Sequence, residues 1–436
     1  FWLKSLCAQV GHGALAEVGA RIRIAATMVD FTDPKWVQAH LRGDPRVVAS
    51  AALEKVEAPG MSCDVQRLVV VFEDGSRTTL IVKQTKDGSH DRSKELGTAR
   101  EALFYQSYSE ISAAAAGVDI ASLLPRVLYS EGSMELGTKT ILMEDLSDAA
   151  QTGLFFGPGN PNNWGKDLEA LTAGRGFDTA WLSVPRLTGM AFSTAAKLHA
   201  RFWQQEGLSS MEWLRGSGWI SGADKESWLK SQKQVAGAWA ASKPKMDDGN
   251  VRWDPLVVAC VDESIKRASL EAEGWETFQR ELKARPFTLV QGDFHPANHM
   301  VRAGAGAAAA ADKDASGKSW IVILDWEAVG VGSGPQELGQ YMISHADPAI
   351  RAEIERGAVE AYYAELTSLN PAVATSMSWE DCWKEYVEGG VGRWMWMLPL
   401  LTSMCPPKMV QFFHDQVQAF MATHDVRVDN VPMPRA

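Results

Sequence analysis

Val290-Gln-Gly-Asp-Phe-His-Pro-Ala-Asn298 and, further along, Ile323-Leu-Asp-Trp-Glu327 are the two most informative segments of this chain. Asp293 in the first stretch is a candidate general base, and Asn298 follows it five residues later. Asp325 stands in the second stretch. Amide and carboxylate oxygens are ligands that Mg²⁺ accepts, and a base followed by two such ligands is typical of phosphoryl-transfer sites. We therefore predict that Asp293 activates a hydroxyl and that Asn298 and Asp325 bind Mg²⁺.

Each of these residues also has an ordinary structural explanation. Asp293 and Asn298 could be turn residues, and Asp325 could simply end a strand. The combination at this spacing favours the catalytic interpretation. Trp326 is as readily a core residue as a functional one, and Glu327 either assists the metal through water or is solvated.

Length, composition and charge limit the number of domains and the kinds of partner that this protein can have. The chain has 436 residues, 46% hydrophobic and 22% charged, which suits one large two-lobed domain or two or three smaller ones. The 43 Lys and Arg against 54 Asp and Glu give a net charge of −11, which argues against nucleic acid or an anionic membrane as partner and mildly favours a cationic or neutral substrate. No apolar stretch of about 18 residues lacks charge, so we expect no transmembrane helix and a soluble protein.

Cysteine usage and the first residues bear on location. The five cysteines show no close pairing that would indicate a zinc site or a disulfide framework, so we expect reduced thiols and a cytoplasmic protein. The chain begins with Phe, which suggests a fragment or a processed chain. Residues 1–30 give only weak support to an organelle transit peptide.

A hairpin and a helix organise the N-terminal half. Residues 67–73 and 78–84 read as strands around an Asp-Gly turn, and Lys83 follows three apolar residues of the second strand. Apolar spacing predicts a helix between residues 93 and 111, which carries Glu101. A strand-end Lys and a helical Glu are usually solvated, but together they fit the ion pair that fixes a phosphate-binding lysine. The turn before the hairpin offers Gly60 and Ser62 for phosphate, with an ordinary hairpin turn as the equal alternative.

The C-terminal half reads as mainly helical. Residues 151–178 are a Gly-, Pro- and Asn-rich loop, residues 189–203 and 224–285 are helical, and residues 350–425 form a helical tail. His199 in the first of these helices is best explained as a satisfied helix histidine. The Ala- and Gly-rich insert 303–318 reads as a disordered hairpin tip. The tryptophans of the tail are either packing core or a cage for a cationic substrate, and core is favoured.

The catalytic stretch resembles the His-Gly-Asp-x-His-Pro-x-Asn motif of the aminoglycoside phosphotransferase and choline/ecdysteroid kinase-like (CHK kinase-like) superfamily, whose metal motif reads Asp-Trp-Glu or Asp-Trp-Gln. The resemblance covers roughly residues 32 to 400. Gln291 stands where that family usually has His. Another segment, Gly334-Pro-Gln-Glu-Leu338, resembles the Gly-Pro-x-Asp-Leu segment of the family, with Glu337 in place of Asp. The segments Leu198-His-Ala-Arg-Phe-Trp203 and Glu144-Asp-Leu146 favour the choline/ecdysteroid kinase-like branch.

The resemblance implies an α+β, protein-kinase-like two-lobed fold with a small β-rich N-lobe and a larger, mainly helical C-lobe. Residues 1–44 would be an extension with a lead-in helix, 45–146 the ATP-binding N-lobe and 147–436 the catalytic C-lobe. Lys83 with Glu101 would hold the phosphates, and the linker backbone at Glu144 and Leu146 would hold adenine. The implied activity is ATP- and Mg-dependent transfer of the γ-phosphate to a hydroxyl of a small molecule. The alternative is a pseudokinase that binds nucleotide or acts as a scaffold. Gln291 favours this alternative, and so does the turn at residues 58–64, which holds a single Gly. The sequence names neither the acceptor nor the oligomeric state.

Overall fold

The computed structural model describes residues 29–56, 63–113, 118, 120–269, 271, 273–302 and 319–436. Gly60 and Ser62, the first 28 residues and the insert 303–318 lie outside the described residues, so the predictions made for them stay predictions. The chain divides into two compact units. The first contains residues up to Gln106 together with Pro125–Ser147, and the second contains Ser107–Leu124 and Asp148–Ala436.

The first unit is built on an antiparallel sheet. Its elements are α1 Pro34–His40, β1 Val48–Lys55, β2 Cys63–Phe72, β3 Arg77–Thr85, α2 His90–Leu96, the start of α3 Arg100–Ala113, β4 Val127–Ser133 and β5 Thr138–Glu144. The five strands lie in the order β1-β2-β3-β5-β4. Asp33 caps α1 by accepting a hydrogen bond from the Lys35 amide, as its position before Pro34 predicts. Gly75 turns the β2–β3 hairpin at a φ of +79°.

Two helices occupy the stretch where a single helix was predicted. Gly97 adopts the left-handed conformation, with a φ of +68°, and its amide donates to the carbonyls of Ser93 and Lys94. This geometry closes α2, because a left-handed residue cannot continue a right-handed helix. The chain then restarts as α3, so Glu101 lies in the first turn of a new helix instead of the middle of a long one.

Alternation along the strands gives the sheet two different buried faces. One face packs with α1 through residues that include Leu68, Val82 and Leu142. The other face presents Ile141 and Met143 to Ala102 of α3. Here helix and sheet approach closely: a Cβ at Gly132 of β4 would lie 2.9 Å from the Ala102 Cβ. The packing of Ala102 fixes the neighbouring Glu101 over this face.

The second unit is mainly helical. Its helices are α4 Leu168–Leu171, α5 Val184–Arg201, α6 Ser217–Ile220, α7 Lys225–Ser242, α8 Pro255–Arg267, α9 Gly274–Lys283, α10 Gly334–His345, α11 Pro348–Leu369, α12 Ala372–Ser376, α13 Trp379–Met404 and α14 Pro407–Thr423. Its strands are β6 Ala150–Gln151, β7 Thr288–Val290, β8 His299–Arg302, β9 Trp320–Ile323 and β10 Gly330–Gly332. β10 pairs with β7, and β6, β8 and β9 form a three-stranded sheet in that order.

Helices α10 and α13 cross at glycines. A Cβ on Gly339 of α10 would lie 2.4 Å from the Tyr386 carbonyl oxygen and 2.7 Å from the Gly390 Cα of α13. Only glycine permits this approach. The crossing brings Gln340 of α10 next to Arg393 of α13, and their side chains form a hydrogen bond.

These elements confirm the α+β class predicted from the sequence, with a β-rich N-terminal unit and a larger, mainly helical C-terminal unit. Trp379 and Trp383 share one face of α13, as predicted, with ring centroids 5.9 Å apart and Arg356 over both rings. Trp394 is buried against Phe413. Of the helices in the described residues, none is both long enough and apolar enough to cross a membrane.

Candidate catalytic site

In the first unit, Lys83 forms the predicted ion pair. Its Nζ lies 2.7 Å from Oε1 of Glu101. The other carboxylate oxygen of Glu101 lies 2.7 Å from Nζ of Lys139, a residue that the sequence analysis missed. Alternation along β5 could have found Lys139, because it lies on the same face as Ile141 and Met143, two and four residues later.

The predicted linker residues lie at the end of β5. Glu144 is its last residue, and its side chain accepts a hydrogen bond of 2.8 Å from the Arg126 amide. Asp145 binds Arg67 of β2 at 2.7 Å. Leu146 is buried. The end of the strand is thus tied to its neighbours, and the adenine-binding role of Glu144 and Leu146 stays a prediction.

In the second unit, the catalytic stretch makes a tight turn between β7 and a 3-10 turn at Pro296–Asn298. Gly292 has a φ of +82°, and a Cβ there would lie 2.1 Å from the Ala328 carbonyl oxygen. Both the left-handed backbone and the close approach require glycine. The turn leaves the Asp293 side chain 22% exposed in otherwise buried surroundings.

Three side chains surround the Asp293 carboxylate. His295 Nε2 lies 3.3 Å from Oδ2, and Asn298 Nδ2 donates to the same oxygen at 3.2 Å. Gln340 Nε2 donates to Oδ1 at 3.3 Å. Burial by itself raises the pKa of Asp293, but the charge and hydrogen bond of His295 outweigh burial, so the pKa lies well below its usual range. Asp293 is therefore ionised at neutral pH and can accept a hydrogen bond from a hydroxyl.

Asn298 is held with its amide oxygen facing away from Asp293. Its Nδ2 donates to the Asp293 carbonyl at 2.9 Å as well as to the carboxylate. Its Oδ1 is buried and has no hydrogen-bond partner among the described residues. Buried amide oxygens nearly always have a partner, and an oxygen ligand of this kind suits Mg²⁺. Asn298 therefore fits a metal.

Asp325 is brought to the same end of a strand pair as Asn298. Strands β8 and β9 pair with His299 opposite Ile323, and the Leu324 amide donates to the Asn298 carbonyl at 2.8 Å. Asp325 follows in a left-handed conformation with a φ of +59°, and its side chain is buried. The donor set of one amide and one carboxylate oxygen is the chemistry that a hard cation takes. The two predicted metal ligands thus lie on neighbouring segments.

The two residues that follow Asp325 are both buried. Trp326 is fully buried and donates a hydrogen bond from Nε1 to the Ile323 carbonyl, which makes it part of the core. Glu327 is 8% exposed. Because it is buried, the solvated alternative for Glu327 does not hold.

Gln291 connects the catalytic turn at Asp293 with the segment that carries Asp325. Its Nε2 donates to the carbonyls of Leu324 and Asp325 at 3.0 and 2.8 Å, and its Oε1 accepts from the Asp293 amide at 2.8 Å. An amide side chain has two donor hydrogens on one nitrogen, so it can serve two carbonyls at once. The departure from the usual His therefore leaves the catalytic turn fixed to the Asp325 segment.

Glu337 and His199 form the support beneath the turn. Glu337 accepts from the Gln291 amide at 3.2 Å and from the Gly292 amide at 2.5 Å. His199 Nε2 lies 3.1 Å from Glu337, and its Nδ1 lies 2.8 Å from the Tyr362 hydroxyl. His199 is fully buried with both ring nitrogens partnered, in agreement with the interpretation as a satisfied helix histidine.

Arg393 and Gln340 are site residues that the sequence analysis missed. Arg393 donates from Nε to Gln340 Oε1 at 3.1 Å and from one terminal nitrogen to the Gly292 carbonyl at 3.0 Å. Burial, together with the charge of Arg215, lowers the pKa of Arg393 to about 9. No motif signals either residue, because they meet only through the crossing of α10 and α13.

Comparisons with known proteins give structural likeness only. No protein-family profile matches the sequence, and no curated protein matches it. An ethanolamine kinase of Plasmodium vivax is similar with a TM-score of 0.43 at 8% identity, over 86% of this chain and 81% of that one. A choline kinase of Streptococcus pneumoniae has a TM-score of 0.41 at 11% identity, over 89% of this chain and 97% of that one. A macrolide 2'-phosphotransferase of Brachybacterium faecium has a TM-score of 0.36 at 12% identity, over 89% and 96%. At these values the likeness carries no functional inference.

Proposed function

We propose that this chain is an ATP- and Mg-dependent phosphotransferase that moves the γ-phosphate to a hydroxyl of a small molecule. The observation that carries the proposal is the orientation of Asn298. Its amide nitrogen is fixed on Asp293 while its buried oxygen has no partner among the described residues. The Asn298 side chain thus joins a candidate base to a candidate metal position. A role as a turn residue alone does not account for this arrangement.

Asn298 and Asp325 are the residues that would hold Mg²⁺. A bound Mg²⁺ supplies charge neutralisation at the phosphate oxygens. Asn298 Oδ1 would gain a partner on binding, and the buried Asp325 carboxylate would supply an anionic oxygen ligand. Lys83, held by Glu101, would bind the phosphates of ATP. Gly60, Ser62 and the backbone at Glu144 and Leu146 complete the proposed nucleotide contacts.

Asp293 would position the acceptor hydroxyl. In phosphoryl transfer the protein acts mainly through positioning and electrostatics, and the aspartate accepts the hydroxyl hydrogen bond and then its proton. The lowered pKa of Asp293 keeps the carboxylate ionised for this role. Its three hydrogen-bond contacts from His295, Asn298 and Gln340 are 3.2 to 3.3 Å long, so they orient the group without saturating both oxygens.

For the acceptor, we propose an alcohol of the kind that choline/ecdysteroid kinase-like or aminoglycoside phosphotransferase-like enzymes use. The motifs Leu198–Trp203 and Glu144–Leu146 favour the first group. A cytoplasmic location belongs to the same proposal and rests on the cysteine pattern of the sequence. The replacement of His by Gln291 was one argument for the pseudokinase alternative. The three hydrogen bonds of the Gln291 side chain weaken that argument, because they hold the catalytic turn in place.

The test is ADP release from Mg-ATP across a panel of choline, ethanolamine, aminoglycosides, sterols and sugars. The parent chain is compared with Asp293→Asn and with Asp91→Asn, a control on the exposed surface of α2. Acceptor-dependent ADP release in the parent and the control, but not in Asp293→Asn, is the expected result. Binding of Mg-ATP with no turnover for any acceptor would favour a pseudokinase, and absence of ATP binding would overturn both.

A further inference from the structure

Two lysines share one buried carboxylate in the first unit. Glu101 is fully buried, and its oxygens lie 2.7 Å from Nζ of Lys83 and 2.7 Å from Nζ of Lys139. The Lys139 side chain is fully buried, whereas that of Lys83 is 14% exposed. The two cations therefore differ in what they can reach: Lys83 can turn toward a ligand, and Lys139 cannot.

Strand pairing explains why both ammonium groups meet the same carboxylate. Lys83 of β3 lies directly opposite Ile141 of β5. Lys139 precedes Ile141 by two residues, so its side chain is on the same face as Lys83, one diagonal step along the ladder. α3 packs on this face through Ala102, and Ser130 of β4 donates a hydrogen bond of 2.8 Å to the Ala102 carbonyl. Glu101 is thereby held above both lysines.

The arrangement matters because a buried carboxylate needs a cation. Breaking a buried ion pair by removing one partner is strongly destabilising, since the other charge stays buried. If Lys83 were the sole cation paired with Glu101, moving its ammonium group onto a phosphate would be destabilising for the same reason. With Lys139 on the second oxygen, Glu101 keeps a counter-charge at 2.7 Å when Lys83 moves.

We propose that Lys139 is a positioning residue for nucleotide binding: it holds Glu101, so that the ammonium group of Lys83 can bind a phosphate of ATP. The inference rests on the proposed function and adds to it a second lysine that does not itself contact the nucleotide. Glu101 then orients Lys83 without competing with the phosphate for its charge.

The experiment measures the Kd of Mg-ATP by calorimetry for four chains: the parent, Lys139→Met, Glu101→Gln, and the double variant. Lys139→Met leaves Glu101 with Lys83 as its remaining lysine, so Lys83 is retained in the ion pair and the Kd rises about tenfold, the equivalent of roughly 1.4 kcal/mol. In the double variant the carboxylate is gone and Lys83 is released, so the Kd equals that of Glu101→Gln and lies below that of Lys139→Met. Lys94→Met, on the exposed surface of α2, is the control and keeps the parent Kd.

The rescue separates this role from simple packing, because a packing defect at Lys139 would persist in the double variant. A parent-like Kd in Lys139→Met, or a loss that Glu101→Gln does not repair, overturns the inference and leaves the proposed function standing. If Lys139→Met fails to fold, the comparison of the double variant with Glu101→Gln decides: equal Kd values support the inference, and a higher Kd in the double variant overturns it. A parent chain that does not bind Mg-ATP overturns the proposed function and the inference with it.

Discussion

Gln340 donates a hydrogen bond from Nε2 to Oδ1 of Asp293 over 3.3 Å, although the two residues are 47 positions apart in the chain. The amide of Gln340 could equally present its oxygen to the carboxylate, which would be repulsive. Arg393 prevents this, because its Nε donates to Gln340 Oε1 at 3.1 Å and a guanidinium group cannot accept a hydrogen bond. The amide nitrogen of Gln340 is thus directed toward Asp293.

We expect Gln340→Met to lower kcat about tenfold or more with little change in the KM for ATP, because a hydrogen bond to a charged group such as the candidate base is worth about 1.5 kcal/mol or more. Arg393→Lys keeps the charge but loses the fork that serves both Gln340 and Gly292. If Arg393 acts through Gln340, the double variant loses little more than Gln340→Met alone. Steady-state kinetics of all three measure this, and fully additive losses would contradict the coupling.

Gln291 should contribute to stability as well as to the site. Gln291→Met keeps the length of the side chain but removes the donors to the carbonyls of Leu324 and Asp325. Leaving buried acceptors without donors costs about 1–3 kcal/mol, so the urea midpoint of unfolding should fall. Gln106→Met, at an exposed position of α3, is the matched control. An unchanged midpoint for Gln291→Met would mean that those carbonyls find other partners.

How much of this the sequence could predict depended on whether the residues of a feature are close in the chain. The ion pair of Lys83 and Glu101 was predictable, because the two residues are 18 positions apart in the chain, on a strand and at the start of a helix that follows it. Asp293 and Asn298 could be identified as candidates because their spacing is local, and their roles stay predictions. Gln340 and Arg393 could not be identified, since they meet only where Gly339 and Gly390 let two helices cross.

The segment between residues 93 and 111, for which a single helix was predicted, shows that a local signal can mark a break between two helices. Apolar spacing continues through the segment, yet Gly97 ends the first helix at a positive φ. A local signal was present for Lys139 as well, because the alternation of residues along β5 places it on the same face as Ile141 and Met143. A glycine at a helix end and a lysine on the inner face of a strand are local signals with a physical reason.

Asn298→Ala should weaken Mg²⁺ binding. Because the variant also removes the two hydrogen bonds from Nδ2 to Asp293, its free energy of unfolding is measured alongside. The variant removes the candidate ligand Oδ1, which is buried and has no hydrogen-bond partner among the described residues. We therefore expect the Mg²⁺ concentration needed for half-maximal ATP binding to rise about tenfold or more, corresponding to the loss of one ligand. Calorimetric titration of ATP at several Mg²⁺ concentrations measures the effect. Equal Mg²⁺ dependence in parent and variant would remove Asn298 from the metal site.

His299 should make the stability of the protein depend on pH. Its ring is buried between Phe294 and Tyr341, and neither ring nitrogen has a hydrogen-bond partner among the described residues. Burial, assisted by the charge of His295, lowers the pKa of His299 from 6.5 to about 3. The unfolded chain therefore binds a proton that the folded chain does not, over the range between these two values.

The sign of the effect follows from that difference. Stability is retained above pH 6.5 and is lost as the pH falls toward 3, because protonation then favours the unfolded chain. His299→Phe removes the titrating group and fills the same aromatic site, so the free energy of unfolding should change little at pH 7.5 and should fall less than in the parent at pH 4.5. The remaining slope includes His345, whose pKa burial also lowers. Urea unfolding at both pH values measures the difference, and parallel losses in parent and variant would show that His299 is not the group responsible.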